Sequence, residues 1–254
     1  MSWLVGLGLA GLIALVAWRM RLLTTGGALT ATLVGASVFG VGGVGASLPM
    51  LAFFLSGSLL PRAFGRPHKT EQRTAFQVLA NGLAPTLCCW GVALDPERET
   101  AFWLGYAASL ATATADTWAT EFGVRFSDTA WMVTTGRRAP AGESGAISLP
   151  GTSGGMLGAL SIAALCTPIT GYGVQTLTIT GLGVWGMLLD SLLGATLQAR
   201  FRCGACSAIG EKRICCSAPA QFQRGVRWID NNMVNLLSTL ATAGVILLAQ
   251  RQAP

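Results

Sequence analysis

Long apolar runs recur from one end of this sequence to the other. There are about eight, at roughly 2–18, 27–42, 44–60, 75–94, 100–116, 153–170, 174–197 and 233–249. A helix of ~20 apolar residues spans a hydrocarbon core of ~30 Å, so the pattern predicts a bundle of membrane-crossing helices. Only 11% of the residues are charged, which leaves too little polar surface for a soluble fold of 254 residues. The expected fold is all-α, a polytopic membrane helix bundle forming a single integral membrane domain over residues 1–254. The second and third runs are short and meet at Gly40-Val41-Gly42-Gly43-Val44-Gly45, which reads as a tight turn or as the break in one re-entrant helix. The first run has no basic residue before it and is followed by Arg19 and Arg21, the reverse of a secretory signal, so it reads as a retained helix.

The basic residues orient the bundle. Of the 17, all but Arg98 and Arg251 fall in connections on one side, and the positive-inside rule makes that side cytoplasmic. Both termini are then expected outside a cell (inner) membrane crossed several times. The connections 117–152 and 198–232 become two cytoplasmic loops, the second carrying cysteines. The net charge of +6 accordingly points to orientation and to contact with anionic lipid or phosphate, not to nucleic acid.

Ionisable groups near hydrocarbon are costly and mark function. Lys69, Arg73, Gln77 and Asn81 are spaced four apart and read as one ridge of a helix, two cations followed by two amides. Such a ridge suits a phosphate-bearing ligand, or else a snorkelling basic end with two interhelical amides. Asp116, Thr117, Thr120 and Glu121 close the fifth run and are hard oxygen ligands of the kind Mg²⁺ takes, or carboxylates paired with an arginine. Gly151, Thr152, Ser153, Gly154 and Gly155 precede the sixth run and read as an anion-binding helix start, or as a cap with glycine-mediated packing. Asp190 and Gln198 mark the cytoplasmic end of the seventh run, and Asp230, Asn231, Asn232 and Asn235 open the eighth. The topology places all four clusters at the cytoplasmic ends of their helices, which predicts one polar cavity open to the cytoplasm.

Other signals are weaker. Gly-x-Gly-x-x-Gly occurs three times without a soluble strand before it, so it carries no dinucleotide reading. His68 is the only histidine and reads as a loop residue. Cys203-x-x-Cys206 followed by Cys215 and Cys216 reads as a structural zinc site or as a set of reduced thiols.

The motifs around Gln77–Gly82, Ala115–Glu121, Gly151–Gly155, Asp190–Gln198 and Asp230–Asn235, in that order, resemble those of the transmembrane protein 19 family, also called domain of unknown function 92. The resemblance spans about residues 24–249. It implies the reaction of the family's phytyl-phosphate kinase, in which a nucleoside triphosphate (CTP or another) converts an isoprenoid monophosphate into its diphosphate. By this resemblance the chain is expected to be a transferase of the lipid bilayer. Lys69, Arg73, Asp116, Glu121 and Asp190 would serve catalysis, and Asp116, Glu121 and Asp190 would hold Mg²⁺. Substrate and nucleotide contacts would come from Gln77, Asn81, Thr120, the Gly151–Gly155 segment, Gln198, Asp230, Asn231, Asn232 and Asn235. An ion-coupled membrane transporter is the competing expectation. Its polar groups should lie near the midplane and reach both faces, whereas here they collect on one side.

Overall fold

The computed structural model describes residues 3–65 and 72–250. Lys69 and His68 lie outside the described residues. The chain forms α1 (Trp3–Arg19), α2 (Thr25–Ala63), α3 (Ala75–Leu94), α4 (Glu99–Phe126), α5 (Leu149–Leu165), the single turn α6 (Thr167–Thr170), α7 (Val174–Thr196) and α8 (Asn231–Ala249). Four of these, α2, α3, α7 and α8, are long and apolar enough to cross a membrane, and α1 and α5 are shorter apolar helices.

At 39 residues, α2 is far too long for a single crossing of a ~30 Å core. It is interrupted at Gly43, whose φ of 57° and ψ of −147° are not helical. A side chain at Gly27 would meet the Arg73 carbonyl, and one at Gly57 would meet the Arg73 guanidinium. Two positions thirty residues apart thus touch one residue, so the chain doubles back and α2 is a hairpin of two limbs. The reversal lies against Trp3 and Trp103, at the opposite end of the bundle, where Trp3 stacks on Trp90 at 5.4 Å. Counting the limbs separately restores the eight runs of the sequence.

Local chemistry sets the helix starts. Thr24, Thr74, Ser148 and Asp230 are the N-caps of α2, α3, α5 and α8, each accepting from a backbone N–H in the first turn. At α3 the cap is reciprocal: Gln77 N donates to Thr74 Oγ1 at 3.3 Å and Thr74 N donates to Gln77 Oε1 at 2.9 Å.

At the centre of the bundle lies α4. From Trp103 to Ala115 every residue of this helix is buried. A helix buried on all sides needs small side chains for close approach, and Ala107, Ala108, Ala111, Ala113 and Ala115 supply them. Glycines of α5 match them. A Cβ on Gly151 would lie 2.9 Å from the Ala119 carbonyl oxygen, and one on Gly158 would lie 3.2 Å from that of Thr114. The α4–α5 crossing is therefore backbone against backbone.

The first connection is shorter than the sequence implies, because α4 continues to Phe126 and α5 begins at Leu149, whereas the second, between Thr196 and Asn231, keeps the expected length. The extension of α4 is held by aromatic packing, with Phe122 at 5.3 Å from Phe64 and 5.9 Å from Trp118. Within the connections lie short strands. Strands β1 (Thr129–Met132), β2 (Arg138–Pro140) and β3 (Ala146–Ile147) form an antiparallel sheet ordered β2-β1-β3. The second connection holds β4 (Arg200–Arg202), β5 (Ile209–Gly210), β6 (Ile214–Cys215), β7 (Ala218–Pro219) and β8 (Gln221–Arg224), with sheet order β5-β4-β8 and a separate β6-β7 hairpin. The two connections are tied together. Arg200 Nη2 donates to Glu143 Oε1 at 2.7 Å, and Ser144 Oγ donates to Gln198 Oε1 at 2.6 Å.

Candidate functional site

The N-terminal ends of α3, α5 and α8 and the C-terminal parts of α4 and α7 surround a cavity of about 720 Å³ at one end of the bundle. The two connections wall its mouth. Of the residues singled out in the sequence, Arg73, Gln77, Asn81, Asp116, Thr120, Glu121, Gly151, Thr152, Asp190, Asp230, Asn231, Asn232 and Asn235 line it. Five separate stretches of chain thus meet in one polar space.

Their local settings differ from the sequence reading in several ways. Arg73 is not on the helix that carries Gln77 and Asn81. Thr74 caps α3, so Arg73 sits in extended backbone bridged to Leu23, and of the described members of the ridge only Gln77 and Asn81 share the helix. The guanidinium of Arg73 lies over the rings of Phe53 and Phe54, at 5.3 and 5.7 Å. No carboxylate among the described residues pairs with it, and burial lowers its pKa to about 10. A desolvated cation bordering a polar cavity gains from an anionic partner.

The carboxylates come from two helices. Asp190 is buried and accepts from Ser238 Oγ at 3.1 Å. In the orientation that satisfies both ends of its amide, Asn235 donates to Asp190 Oδ2 and to the Asn231 carbonyl, each at 3.0 Å. Asp116 is near enough for the two carboxylates to interact electrostatically. Asp116 and Glu121 are both half-buried in the cavity wall. Among the described residues, Asp116, Glu121 and Asp190 do not close on one point as a three-carboxylate cage; the four cysteines are the only such cluster. The donor set that fits Mg²⁺ is thus Asp116 with Asp190, since this ion takes one or two carboxylates and completes its shell with water and phosphate oxygens. Asp230 is partly committed, because its Oδ1 caps Met233 N at 3.0 Å.

Other residues read as ligands in the sequence lie elsewhere. Gly154 and Gly155 are within α5, where a Cβ would strike the Phe122 ring and Met187 Sδ respectively. Ser153 faces outward on the same helix. The segment is not a free anion-binding turn, because Ser148 Oγ already accepts from Gly151 N at 3.2 Å. Gln198 is fully buried, and its side chain joins the two connections instead of lining the cavity.

Five charged wall residues have no motif in the sequence: Glu143, Glu211, Lys212, Arg213 and Arg227. Desolvation raises the pKa of Glu211. Arg213 donates to the Arg227 carbonyl at 2.8 Å and lies over Phe201, while Arg227 lies over Phe222. The strand pairing of the second connection brings these cations to the mouth, and no periodicity announces that pairing.

Beside the mouth, the Sγ atoms of Cys203, Cys206, Cys215 and Cys216 all lie within 4.8 Å of one another. Cys206 and Cys215 are 3.7 Å apart, and Cys215 and Cys216 3.9 Å. Tetrahedral thiolate coordination at ~2.3 Å sets sulfur–sulfur distances of this size. The adjacent pair Cys215–Cys216 is accommodated by positive φ at Cys216 and Ser217, of 50° and 60°. Hydrogen bonds from the Cys206 N–H, the Cys215 thiol and the Ala205 N–H lower the Cys203 pKa to about 6.

Fold and cavity together define a multi-pass helical membrane protein with a polar, charge-lined chamber at one end of its bundle. The chain belongs to the family described as Integral membrane protein DUF92, whose model matches residues 8–243. It is 33% identical over 244 residues to an uncharacterized membrane protein of Synechocystis sp., covering 89% of this chain and 82% of that one. Protein PGR of Arabidopsis thaliana is 28% identical over 279 residues, 95% of this chain and 93% of its own. Protein VTE6, chloroplastic, also of Arabidopsis thaliana, is 26% identical over 157 residues, 59% of this chain and 38% of its own. No solved structure matches.

Proposed function

We propose that this chain is a membrane phosphotransferase that carries the terminal phosphoryl group of a nucleoside triphosphate to an isoprenoid, phytyl-type, monophosphate. The observation that carries the reading is the meeting of Arg73, with which no carboxylate among the described residues pairs, two interacting carboxylates on α4 and α7, and the amide cluster of α8 in one cavity. Membership of the family, whose motifs resemble those of a phytyl-phosphate kinase, supports the same class.

The chemistry asks little of acid–base groups. The nucleophile is an oxygen of the lipid monophosphate, whose second pKa of ~6 leaves it largely ionised at neutral pH. It attacks the γ-phosphorus, a new phosphorus–oxygen bond forms, the bond to the bridging oxygen breaks, and the nucleoside diphosphate departs. No proton need be removed, which suits a sequence whose one histidine, His68, is outside the motif clusters. The protein's task is positioning and charge neutralisation. Arg73 receives the acceptor phosphate, and Arg213 and Arg227 at the mouth face the nucleotide. Asp116 and Asp190 would hold Mg²⁺, with Asn235 and Ser238 fixing the Asp190 oxygens. When bound, the ion supplies neutralisation of the transferring phosphates. The four cysteines would hold zinc and so brace the mouth. The mouth faces the cytoplasm, where nucleotide is available.

The plug beneath the cavity supports an enzyme over a transporter. Tyr106, Ala107, Ala108, Leu110 and Ala111 are fully buried in a continuous core, and a transport path would have to pass through them.

The test is phosphoryl transfer by purified protein in lipid, offered phytyl, geranylgeranyl and farnesyl monophosphates with each nucleoside triphosphate and Mg²⁺. Diphosphate product is expected, reduced at least ~100-fold by Asp116→Asn or Arg73→Gln, in the range that a single electrostatic group contributes. Well-folded protein that makes no product with any pair would sink the proposal and turn attention to liposome flux.

A further inference from the structure

A second cavity, apolar and about 270 Å³, lies between α1, the α2 hairpin and α3. Arg73, Gln77 and Asn81 line both this groove and the polar cavity. Its inner wall is buried at Val38, Phe53 and Leu110, while rim residues such as Ile13, Val44 and Leu48 are exposed. In a bilayer such a rim faces acyl chains, so the groove opens sideways into lipid. An apolar slot that opens to the membrane and ends on an arginine, at the edge of a polar chamber, has the polarity profile of an amphiphile: hydrocarbon first, then phosphate.

We infer that this groove seats the hydrocarbon tail of the phosphate monoester whose head enters the polar cavity, with Arg73 at the junction. This rests on the phosphotransferase reading above and adds to it where the lipid lies and how it enters. The lipid reaches the site laterally between α1 and the α2 hairpin, and nucleotide arrives through the loop-walled mouth. Along the second limb of α2 the groove runs from Phe54 to Val44, about 15 Å at the ~1.5 Å helical rise. Contacts with the first ~15 Å of tail set affinity, and longer tails emerge into the bilayer and gain little.

The experiment uses the full chain in nanodiscs and a geranylgeranyl monophosphate bearing a diazirine in its tail, with adducts mapped by peptide mass spectrometry. Adducts are expected on α1 and α2, competed by unlabelled geranylgeranyl monophosphate. Leu48→Trp at the rim and Ala31→Phe on the wall should each lower adduct yield about tenfold, equivalent to ~1.4 kcal/mol. Leu157→Trp on α5 should leave it unchanged. Two blocking variants on different limbs guard against misfolding of one, and thermal unfolding reports on each. Adducts confined to α5, α7 or α8, or yields untouched by both blocking variants, would overturn the inference. So would equal, Arg73-independent labelling by the corresponding alcohol, which would make the groove a general lipid crevice. Adducts in the groove without diphosphate formation would sustain the tail site and remove the kinase reading. Diphosphate formed with adducts elsewhere would do the reverse.

Discussion

The two connections close the cavity mouth only while they stay joined, and the joint is concentrated at Arg200. Its side chain is 6% exposed and meets Glu143, 30% exposed, at 2.7 Å, with Glu211 at 3.5 Å. A hydrogen bond to a charged group contributes ~1.5–3 kcal/mol, and loss of a fully buried pair costs ~3–5 kcal/mol. Because Glu143 would regain water, Arg200→Met should cost about 2 kcal/mol, near the lower of these ranges. Glu143→Gln should cost less, about 1 kcal/mol, since Glu211 remains beside the arginine. A penalty of ~2 kcal/mol raises a local opening equilibrium about 30-fold. Hydrogen–deuterium exchange of peptides covering 138–147 and 198–224 should therefore speed up by that factor in both connections at once, with the helices unaffected. In the double variant the effects should fall short of additive by ~1 kcal/mol. Unchanged exchange in the first connection, or strict additivity, would refute the claim that this pair couples the two.

Further outcomes follow from other sites. Gly155→Leu should destabilise the protein by ~1–3 kcal/mol, because its side chain must displace Met187 and the α4 backbone. Gly181→Ala, where a Cβ meets nothing within 4 Å, should instead stabilise α7 by up to ~1 kcal/mol, and paired thermal melts decide between these signs. Purified protein should contain about one zinc per chain, lost in Cys203→Ser, by elemental analysis; metal-free protein with an ordered second connection would remove that site. Asn235→Ala and Ser238→Ala should each reduce transfer by ~10-fold while leaving nucleotide affinity unchanged, because they orient Asp190 and do not touch the substrate. Equal loss of nucleotide binding would reassign them as direct contacts.

The membrane helices are legible in the sequence because hydrocarbon imposes a length and a polarity that few residues evade. The same logic exposes Asp116, Asp190 and the α8 amides, which stand out against an apolar background. Two features mislead. The four-residue spacing of Lys69, Arg73, Gln77 and Asn81 imitates a helix face, yet Thr74 has a capping residue's chemistry and starts α3 after Arg73. The glycines of α5 imitate an anion loop, yet glycine there answers to the close approach of α4, and one composition serves both purposes. Gln198 fails for a third reason: its partner Ser144 is 54 residues away in the other connection, a pairing that no local pattern encodes. Arg213 and Arg227 are invisible for the same cause, since strands of two to four residues carry too little periodicity to place them.

The central helix has a consequence for how the protein is made. Every other long helix packs on α4, or on one that does, yet α4 is absent from the helices apolar enough to cross a membrane by themselves. Its interior carries Ser109, Thr112, Thr114 and Asp116, groups that hydrocarbon receives poorly when a segment is offered alone. Offered alone, α4 is therefore expected to partition into hydrocarbon less readily than its neighbours, and its stability in the bilayer depends on α5, whose glycines let the two backbones meet.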